Sequence, residues 1–223
     1  MFRALRKALK WALILFFGST VLAVGVYRFV PVWITPLMVI RAVSPKGDSE
    51  AGRERQRRWR HDWVALDEMS PWLPKAVVAS EDANFYEHNG FDFKAIEEAY
   101  EANNRGRRMR GASTISQQTA KNVFLWPGRS WVRKGLEAYF TVLIELMWPK
   151  ERIMEVYLNS IEMGPGIYGA QAAAEFYFDR SAERLTKRQA ALIAVSLPNP
   201  FKRNPARPSA YLSRRASTIC RYM

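Results

Sequence analysis

The sequence predicts a mainly α-helical domain that is preceded by one N-terminal transmembrane helix. Three observations predict this arrangement. An uncharged apolar run occupies residues 11–27, consecutive helical patterns with short loops follow from Pro71 onward, and strand-like alternation never extends beyond a few residues. With 223 residues, of which 48% are apolar, the chain can form one buried core in addition to an anchor.

The apolar run has the features of an uncleaved membrane anchor. As a helix its seventeen residues span roughly 25 Å, the short end of a membrane crossing. The cations before it predict, by the positive-inside rule, a cytoplasmic tail at residues 1–10, a transmembrane helix at 11–28 and all later residues outside. The alternatives are a signal peptide, which lacks an A-x-A-like site here, and a buried core helix. The buried core helix fits poorly because four cations directly precede the apolar run: Arg3, Arg6, Lys7 and Lys10.

Residues 29–69 are predicted to form a membrane-proximal linker. The apolar residues 29–40 contain two prolines and are too few to span a bilayer, so we expect them to lie at the membrane surface or beneath the domain. The polar remainder carries five arginines between residues 53 and 60. These arginines form either a solvated helix face or a patch against anionic headgroups.

Composition restricts the function. Lys and Arg number 34 against 21 Asp and Glu, a net charge of +13 that indicates an anionic partner. The single cysteine, Cys220, excludes an internal disulfide framework, and the two histidines make a His-rich metal site improbable. Nucleic acid is not expected as the partner, because the basic residues are dispersed, no known nucleic-acid motif is present and the domain is predicted to lie outside the membrane.

Residues 70–223 are predicted to be one helical domain. Prolines open helices at residues 75–80 and 149–161, and Asp92 can cap a helix that runs to Asn104. Capping boxes open helices at 114–124 and 186–197, and an apolar stripe marks residues 131–148. Two further helices are expected at 169–178 and at the end of the chain.

The first candidate site residue is Glu81, which the apolar run LPKAVVAS delivers from a buried helix. Partial desolvation there would raise the pKa of the carboxyl toward that of a general base. An acidic pair, Glu81 and Asp82, on an ordinary surface is the alternative. His88 alone is more often a structural hydrogen-bonding residue than a catalyst.

A second polar group surrounds a helix start in GASTISQQTAKN, residues 111–122. Gly111 gives the backbone conformational freedom, and the N-terminus of a helix that also carries hydroxyl groups binds anions well. The alternative is an ordinary polar helix that faces solvent. Two adjacent glutamines in a basic chain, however, suit a sugar-phosphate ligand better than a solvent-exposed face. The candidate binding residues are Ser113, Thr114, Gln117, Gln118, Lys121 and Asn122.

A third group lies on one helix face, where Arg133 and Lys134 come four and three residues before Glu137. With Arg129 they form either ordinary ion pairs or a cationic cradle for pyrophosphate. Farther along, Asn159 and the glycine-rich loop 164–169 are the parts of a mostly apolar segment that a ligand could contact.

In this order, five motifs closely resemble the glycosyltransferase domain of peptidoglycan polymerases: SEDANFYEHNGFD, GASTISQQTAKNVFLW, GRSWVRKGLEA, KERIMEVYLN and GAQAAAEFYF. The resemblance covers about residues 70–200. GRSWVRKGLEA and the absence of a following penicillin-binding domain favour the monofunctional biosynthetic transglycosylases. The resemblance implies a lysozyme-like, mainly α fold. It also implies that lipid II is polymerised into β-1,4 glycan strands with release of undecaprenyl pyrophosphate.

The resemblance also implies roles for the candidate residues. Glu81 matches the general base, and Glu137 matches a second carboxylate that assists the leaving group or helps to hold a metal. Lys121, Arg129, Arg133 and Lys134 would neutralise the diphosphate, while Ser113, Thr114, Gln117 and Gln118 would hydrogen-bond sugar and phosphate. The sequence establishes no cofactor. A divalent cation, Mg or Mn, on the pyrophosphate is the candidate, with Asp82 as its candidate ligand.

We therefore expect an enzyme of the inner membrane, single-pass, with a cytoplasmic N-terminus and a periplasmic catalytic domain. Its expected partners are lipid II, the growing glycan strand, membrane lipids and other cell-wall synthesis proteins. Two alternatives remain open: a membrane-bound lytic enzyme on the same fold, and an anchored scaffold without activity. The cations between residues 121 and 134 favour the polymerase over the lytic enzyme.

Overall fold

The computed structural model describes residues 2–104, 113–128 and 130–223, and there the mainly helical prediction is confirmed. Most predicted helices begin and end within a few residues of their expected bounds. The helices are α1 (Phe2–Tyr27), α2 (Pro36–Val43), α3 (Glu50–Arg57), α4 (Trp72–Glu81), α5 (Phe93–Asn104), α6 (Ile115–Phe124), α7 (Trp131–Met147), α8 (Lys150–Ser160), α9 (Ala170–Phe178), α10 (Lys187–Ser196) and α11 (Ala210–Tyr222).

Two groups of packed helices form the core of the domain. In one group α6 packs against both α7 and α8, and in the other α10 packs against α4 and α11. Their contacts bury a continuous set of apolar side chains, of which Tyr157, Phe85 and Leu73 are fully inaccessible to solvent. Because α4 belongs to one group and α6 to the other, the candidate Glu81 at the end of α4 and Gln118 of α6 lie where the two groups meet.

The structure adds a small three-stranded sheet that the sequence did not predict. The strands β1 (Arg60–His61), β2 (Glu162–Gly164) and β3 (Ile167–Tyr168) lie in the order β1-β3-β2, with β1 parallel and β2 antiparallel to β3. Strands of two or three residues are too short to show alternation in a sequence. The stretch at residues 29–69, predicted as a linker, thus contributes α2, α3 and β1 to the packed structure.

The N-terminal helix α1 begins earlier than the apolar run and is exposed along most of its length, since Val24 is its one buried residue. Its C-terminal half contacts the domain: Thr20 Oγ1 and Tyr139 Oη lie 2.7 Å apart, and Trp148 Nε1 donates to the Val24 carbonyl at 2.8 Å. Among the described residues, α1 is the one helix that is long and apolar enough to cross a membrane. Its exposure argues against the buried core helix that the sequence left open.

Candidate active site

The carboxylate of Glu81 lies at the last residue of α4, half-buried between the two helix groups. Burial raises the pKa of Glu81, and hydrogen bonds from Gln118 Nε2 (3.3 Å) and Ser80 Oγ (3.3 Å) partly offset this rise. The guanidinium groups of Arg203 and Arg215 line the same small cavity and also attract the charged form. A carboxylate with a raised pKa beside hydrogen-bond donors has the properties of a general base.

Next in the chain, Asp82 fixes the position of Glu81 relative to α6. Its carboxylate accepts hydrogen bonds from the backbone amide of Ile115 (2.9 Å) and from His88 Nε2 (3.0 Å). Because His88 Nδ1 accepts from the Gly90 amide at 3.1 Å, the ring proton is on Nε2 and points to Asp82. A carboxylate at the first turn of a helix is also favoured by the helix dipole. We call these contacts the Asp82 clamp.

The predicted capping box is confirmed at the start of α6. Thr114 Oγ1 accepts from the Gln117 amide and donates to the Gly90 carbonyl at 2.7 Å, while Gln117 Oε1 accepts from the Thr114 amide at 3.0 Å. These two side chains are buried and hold the helix start, and their contact with a ligand stays a prediction. Ser113, by contrast, is exposed just before the helix.

Farther along α6, Gln118 and Lys121 face a cavity of about 370 Å³ between α2, α6, the start of α7 and the loop after α10. Asn122 and Arg133 also line this cavity. Gln118 connects it to Glu81, because its Nε2 contacts that carboxylate and its Oε1 accepts from Tyr157 Oη at 3.2 Å. The structure thus brings Glu81 and the predicted cations 121 and 133 to one region.

The ammonium group of Lys121 lies within electrostatic range of both Glu81 and Glu137. Burial lowers the pKa of Lys121, and the positive charges of Arg133 and Lys134 lower it further, while Glu137 opposes the shift. An anion entering this cavity would favour the protonated amine. The cavity is therefore suited electrostatically to a negatively charged group.

The second candidate carboxylate, Glu137, is 4% exposed on α7 and forms the ion pairs that its spacing predicts. Arg133 Nη1 lies 3.5 Å from its Oε2, and Lys134 Nζ is paired with its Oε1. Of these two cations Arg133 is buried, whereas about half of the Lys134 side chain is exposed at 47%. Glu137 therefore anchors two cations at the edge of the cavity.

Two predicted binding residues have a different position or lie outside the described chain. Asn159 is fully buried and bonds to the Val64 backbone, accepting from its amide at 3.0 Å and donating to its carbonyl at 2.9 Å. It joins α8 to the segment after β1 and does not line the cavity. Arg129 and Gly111 lie outside the described residues.

The donor set does not fit a preformed metal site. Both oxygens of Asp82 already accept N–H groups, and both oxygens of Glu137 are paired with cations. In the described ranges no three His, Cys, Asp or Glu side chains come together in a way that could hold a metal ion.

Sequence reasoning missed several residues of the site. Arg41 of α2 and Glu162 of β2 line the cavity with Lys121, and Phe201 closes one side of it. Arg203 and Arg215, near Glu81, come from the last part of the chain. The one signal available for Arg41 was a single cation at the end of the apolar stretch 29–40, and the other residues are brought in by tertiary packing alone.

Comparison with known proteins identifies extensive similarity. A model of the family described as Transglycosylase matches residues 48–223, beginning within the stretch predicted as a linker. A curated biosynthetic peptidoglycan transglycosylase from Bacteroides thetaiotaomicron is 60% identical over 98% of this chain and 88% of its own length. Proteins with the same curated name from Bdellovibrio bacteriovorus (57% identical, 97% of this chain, 85% of the relative) and Pseudomonas aeruginosa (51%, 100%, 92%) are also similar.

The Asp82 clamp predicts a large loss of stability in Asp82→Ala. The substitution leaves the Ile115 amide and His88 Nε2–H without an acceptor in a buried position, which costs about 2–3 kcal/mol. We expect the thermal unfolding midpoint in detergent to fall by roughly 5–10 °C. Glu87→Ala, an exposed carboxylate of the same loop, is the matched control and should change the midpoint little. Equal midpoints for the two variants would contradict the clamp.

Proposed function

Since this chain belongs to the transglycosylase family, we propose that it polymerises lipid II into β-1,4 glycan strands and releases undecaprenyl pyrophosphate. It is a peptidoglycan glycosyltransferase of cell wall synthesis. The observation that carries the proposal is the arrangement of Glu81 beside a cationic cavity, with Gln118 contacting the carboxylate and lining the cavity. A glycosyl transfer from a diphosphate donor needs both features. The carboxylate serves as a base for the acceptor hydroxyl, and the cations bind the diphosphate leaving group.

The proposed reaction is a single displacement. Glu81 takes the proton from the 4-hydroxyl of the acceptor sugar, and that oxygen forms a bond to the anomeric carbon of the donor. The bond from this carbon to the pyrophosphate oxygen breaks, and the electron pair leaves with the diphosphate. Attack from the opposite face converts an α-linked donor into a β-linked product. The half-buried position of Glu81 supports its role, because a base works best when its pKa approaches the working pH.

The cations stabilise the charge of the leaving group. Lys121 and Arg133 line the cavity, and Lys134 lies beside it through its pair with Glu137. Fixed charges in a partly dry site stabilise a developing anion without reorganisation. Glu137 keeps two of these cations in place. We include Arg129 in the proposed set on the family resemblance alone. Because the described donors do not fit a metal, no step is assigned to one.

The lytic alternative is less well supported. Hydrolysis of a glycan strand needs a carboxylic acid, but its neutral sugars give no use for a cavity lined by Lys121 and Arg133. The curated names of the relatives, which describe biosynthetic enzymes, agree with the polymerase.

We further propose that α1 anchors the protein in the inner membrane, with the N-terminus cytoplasmic and the catalytic domain periplasmic. The length and exposed apolar surface of α1 support a crossing, and the cations before it support the orientation. Contacts of Thr20 with Tyr139 of α7 and of Val24 with Trp148, directly after α7, hold the domain close to the anchor. This position suits a substrate whose lipid remains in the bilayer, and it allows contact with other cell-wall synthesis proteins.

Replacing the base tests the proposal most simply. Glu81→Gln keeps the shape and the hydrogen bond with Gln118 but cannot accept a proton, so we expect polymer formation from lipid II to fall by about 10²–10⁴-fold. Product length is measured by gel electrophoresis, and circular dichroism confirms the fold. Glu87→Gln is the matched control and should retain wild-type activity. Wild-type polymer yield from folded Glu81→Gln would exclude Glu81 as the base.

The hydrogen bonds to Glu81 predict a shift in pH dependence. Activity requires the ionised carboxylate, so it is lost as the pH falls through the raised pKa of Glu81. Ser80→Ala removes a donor that favours the charged form, which raises the pKa of Glu81 further and moves the acidic limb of kcat/KM to higher pH. Ser217→Ala, an exposed serine on α11, should leave the limb in place. A shift of the Ser80→Ala limb to lower pH would contradict the assignment.

A further inference from the structure

The helix α2 brings one cation, Arg41, to the cavity from the membrane-proximal part of the chain. Thr35, which is 1% exposed, caps this helix by accepting from the Met38 amide, and α2 packs against α6. Leu37 and Arg41 are four residues apart, share one face of the helix and both line the cavity. The orientation of α2 is therefore fixed, and with it the position of the guanidinium.

The largely buried guanidinium of Arg41 has one ion-pair partner but lacks hydrogen bonds at two of its nitrogens. Its side chain is 15% exposed, and its Nε lies 3.5 Å from Glu162 Oε2 as an ion pair. Neither Nε nor Nη1 has a hydrogen bond to any described residue, and the same is true of Arg133 Nε across the cavity. A buried N–H without an acceptor is costly, and cations attract ligands that supply several acceptor oxygens.

The other residues that line the cavity indicate the chemical class of such a ligand. Leu37, Leu125, Leu197 and Phe201 provide apolar surface next to the cations Arg41, Lys121 and Arg133, with Glu162 as the one carboxylate among the described lining residues. Phe201 also packs under Arg41, with the guanidinium carbon 5.2 Å from the ring centroid. A group that combines a multiply charged anion with a hydrocarbon chain matches both surfaces.

We propose that Arg41 is a further substrate-binding residue, which binds the diphosphate of the prenyl-linked donor from the membrane side of the cavity. This assignment rests on the proposed function and adds to it a residue from outside the five sequence motifs. Lys121 and Arg133 contact the diphosphate from α6 and α7, and Arg41 supplies N–H donors from α2. Glu162 is the ion-pair partner of Arg41 and competes with the anion for it.

The experiment measures the affinity of the full-length protein in detergent micelles for geranylgeranyl diphosphate. Arg41→Gln should raise the Kd by about tenfold or more, because a charge-assisted contact is lost. With lipid II as substrate the same change should raise KM more than it lowers kcat. Glu162→Gln should instead tighten binding, since it removes the competing negative charge. Arg58→Gln, an exposed arginine whose side chain is 84% accessible on the same stretch of chain, should bind like the wild type.

Two further probes distinguish the sources of the anion. Inorganic pyrophosphate tests the charge alone, and micelles containing phosphatidylglycerol test a lipid headgroup. Selective loss of geranylgeranyl diphosphate binding in Arg41→Gln supports the proposal. An equal loss of phosphatidylglycerol binding assigns Arg41 to bulk lipid and overturns it, as does a Kd within twofold of the wild type.

If Arg41→Gln unfolds, Arg41→Lys is the second variant. It keeps the positive charge but loses the planar guanidinium with its paired N–H donors, so its Kd for geranylgeranyl diphosphate should be intermediate. A wild-type Kd and KM for a folded Arg41→Lys, together with unchanged affinity in Glu162→Gln, would also overturn the proposal. Wild-type protein that binds no diphosphate and forms no polymer would contradict the proposed function itself, whereas active protein with insensitive Arg41 variants contradicts only this inference.

Discussion

The site depends on one constraint: the carboxylate of Glu81 has to be kept partly out of water at a fixed point between two helix groups. The helix α4 places it there, and the Asp82 clamp connects the end of α4 to the first turn of α6. Gly90 completes this junction, because its backbone is in the left-handed region at φ 88° and an added Cβ would lie 2.7 Å from Thr141 Cγ2. Glycine is therefore required at that position.

The same junction determines the electrostatics of the cavity. Since α6 starts at the clamp, Gln118 and Lys121 follow one turn apart. Gln118 reaches Glu81, and Lys121 lies within electrostatic range of both Glu81 and Glu137. Buried cations are stable only when they are paired or when a ligand provides the balance. Glu137 and Glu162 satisfy part of that requirement through their ion pairs. The N–H groups of Arg41 and Arg133 that lack a hydrogen bond to any described residue support the proposed binding of an anion.

Local interactions were predictable from the sequence, and long-range ones were not. Capping boxes at Thr114 and Thr186 were confirmed because a cap involves residues only three apart. The pairs of Glu137 with Arg133 and Lys134 were confirmed because helical spacing alone brings them together. The position of Glu81 at the end of a buried helix followed from an apolar run that ends in an acid.

Residues whose surroundings come from distant parts of the chain were assigned incompletely. Asn159 resembled a ligand contact, yet its amide satisfies the backbone of Val64, which is distant in sequence. Arg41 reaches the cavity only because α2 folds onto α6, and no pattern within residues 29–69 reports that packing.

The most direct test of the central claim is the ionisation of Glu81 itself. The full-length protein is labelled with ¹³C at glutamate side-chain carboxyls, and the Glu81 resonance is assigned by its absence in Glu81→Gln. Its pH titration by NMR should give a pKa above the ordinary glutamate value of about 4.3, since burial disfavours the charged form. A pKa at or below that value would show that Glu81 is fully hydrated or tightly paired, and it would contradict a partly desolvated base.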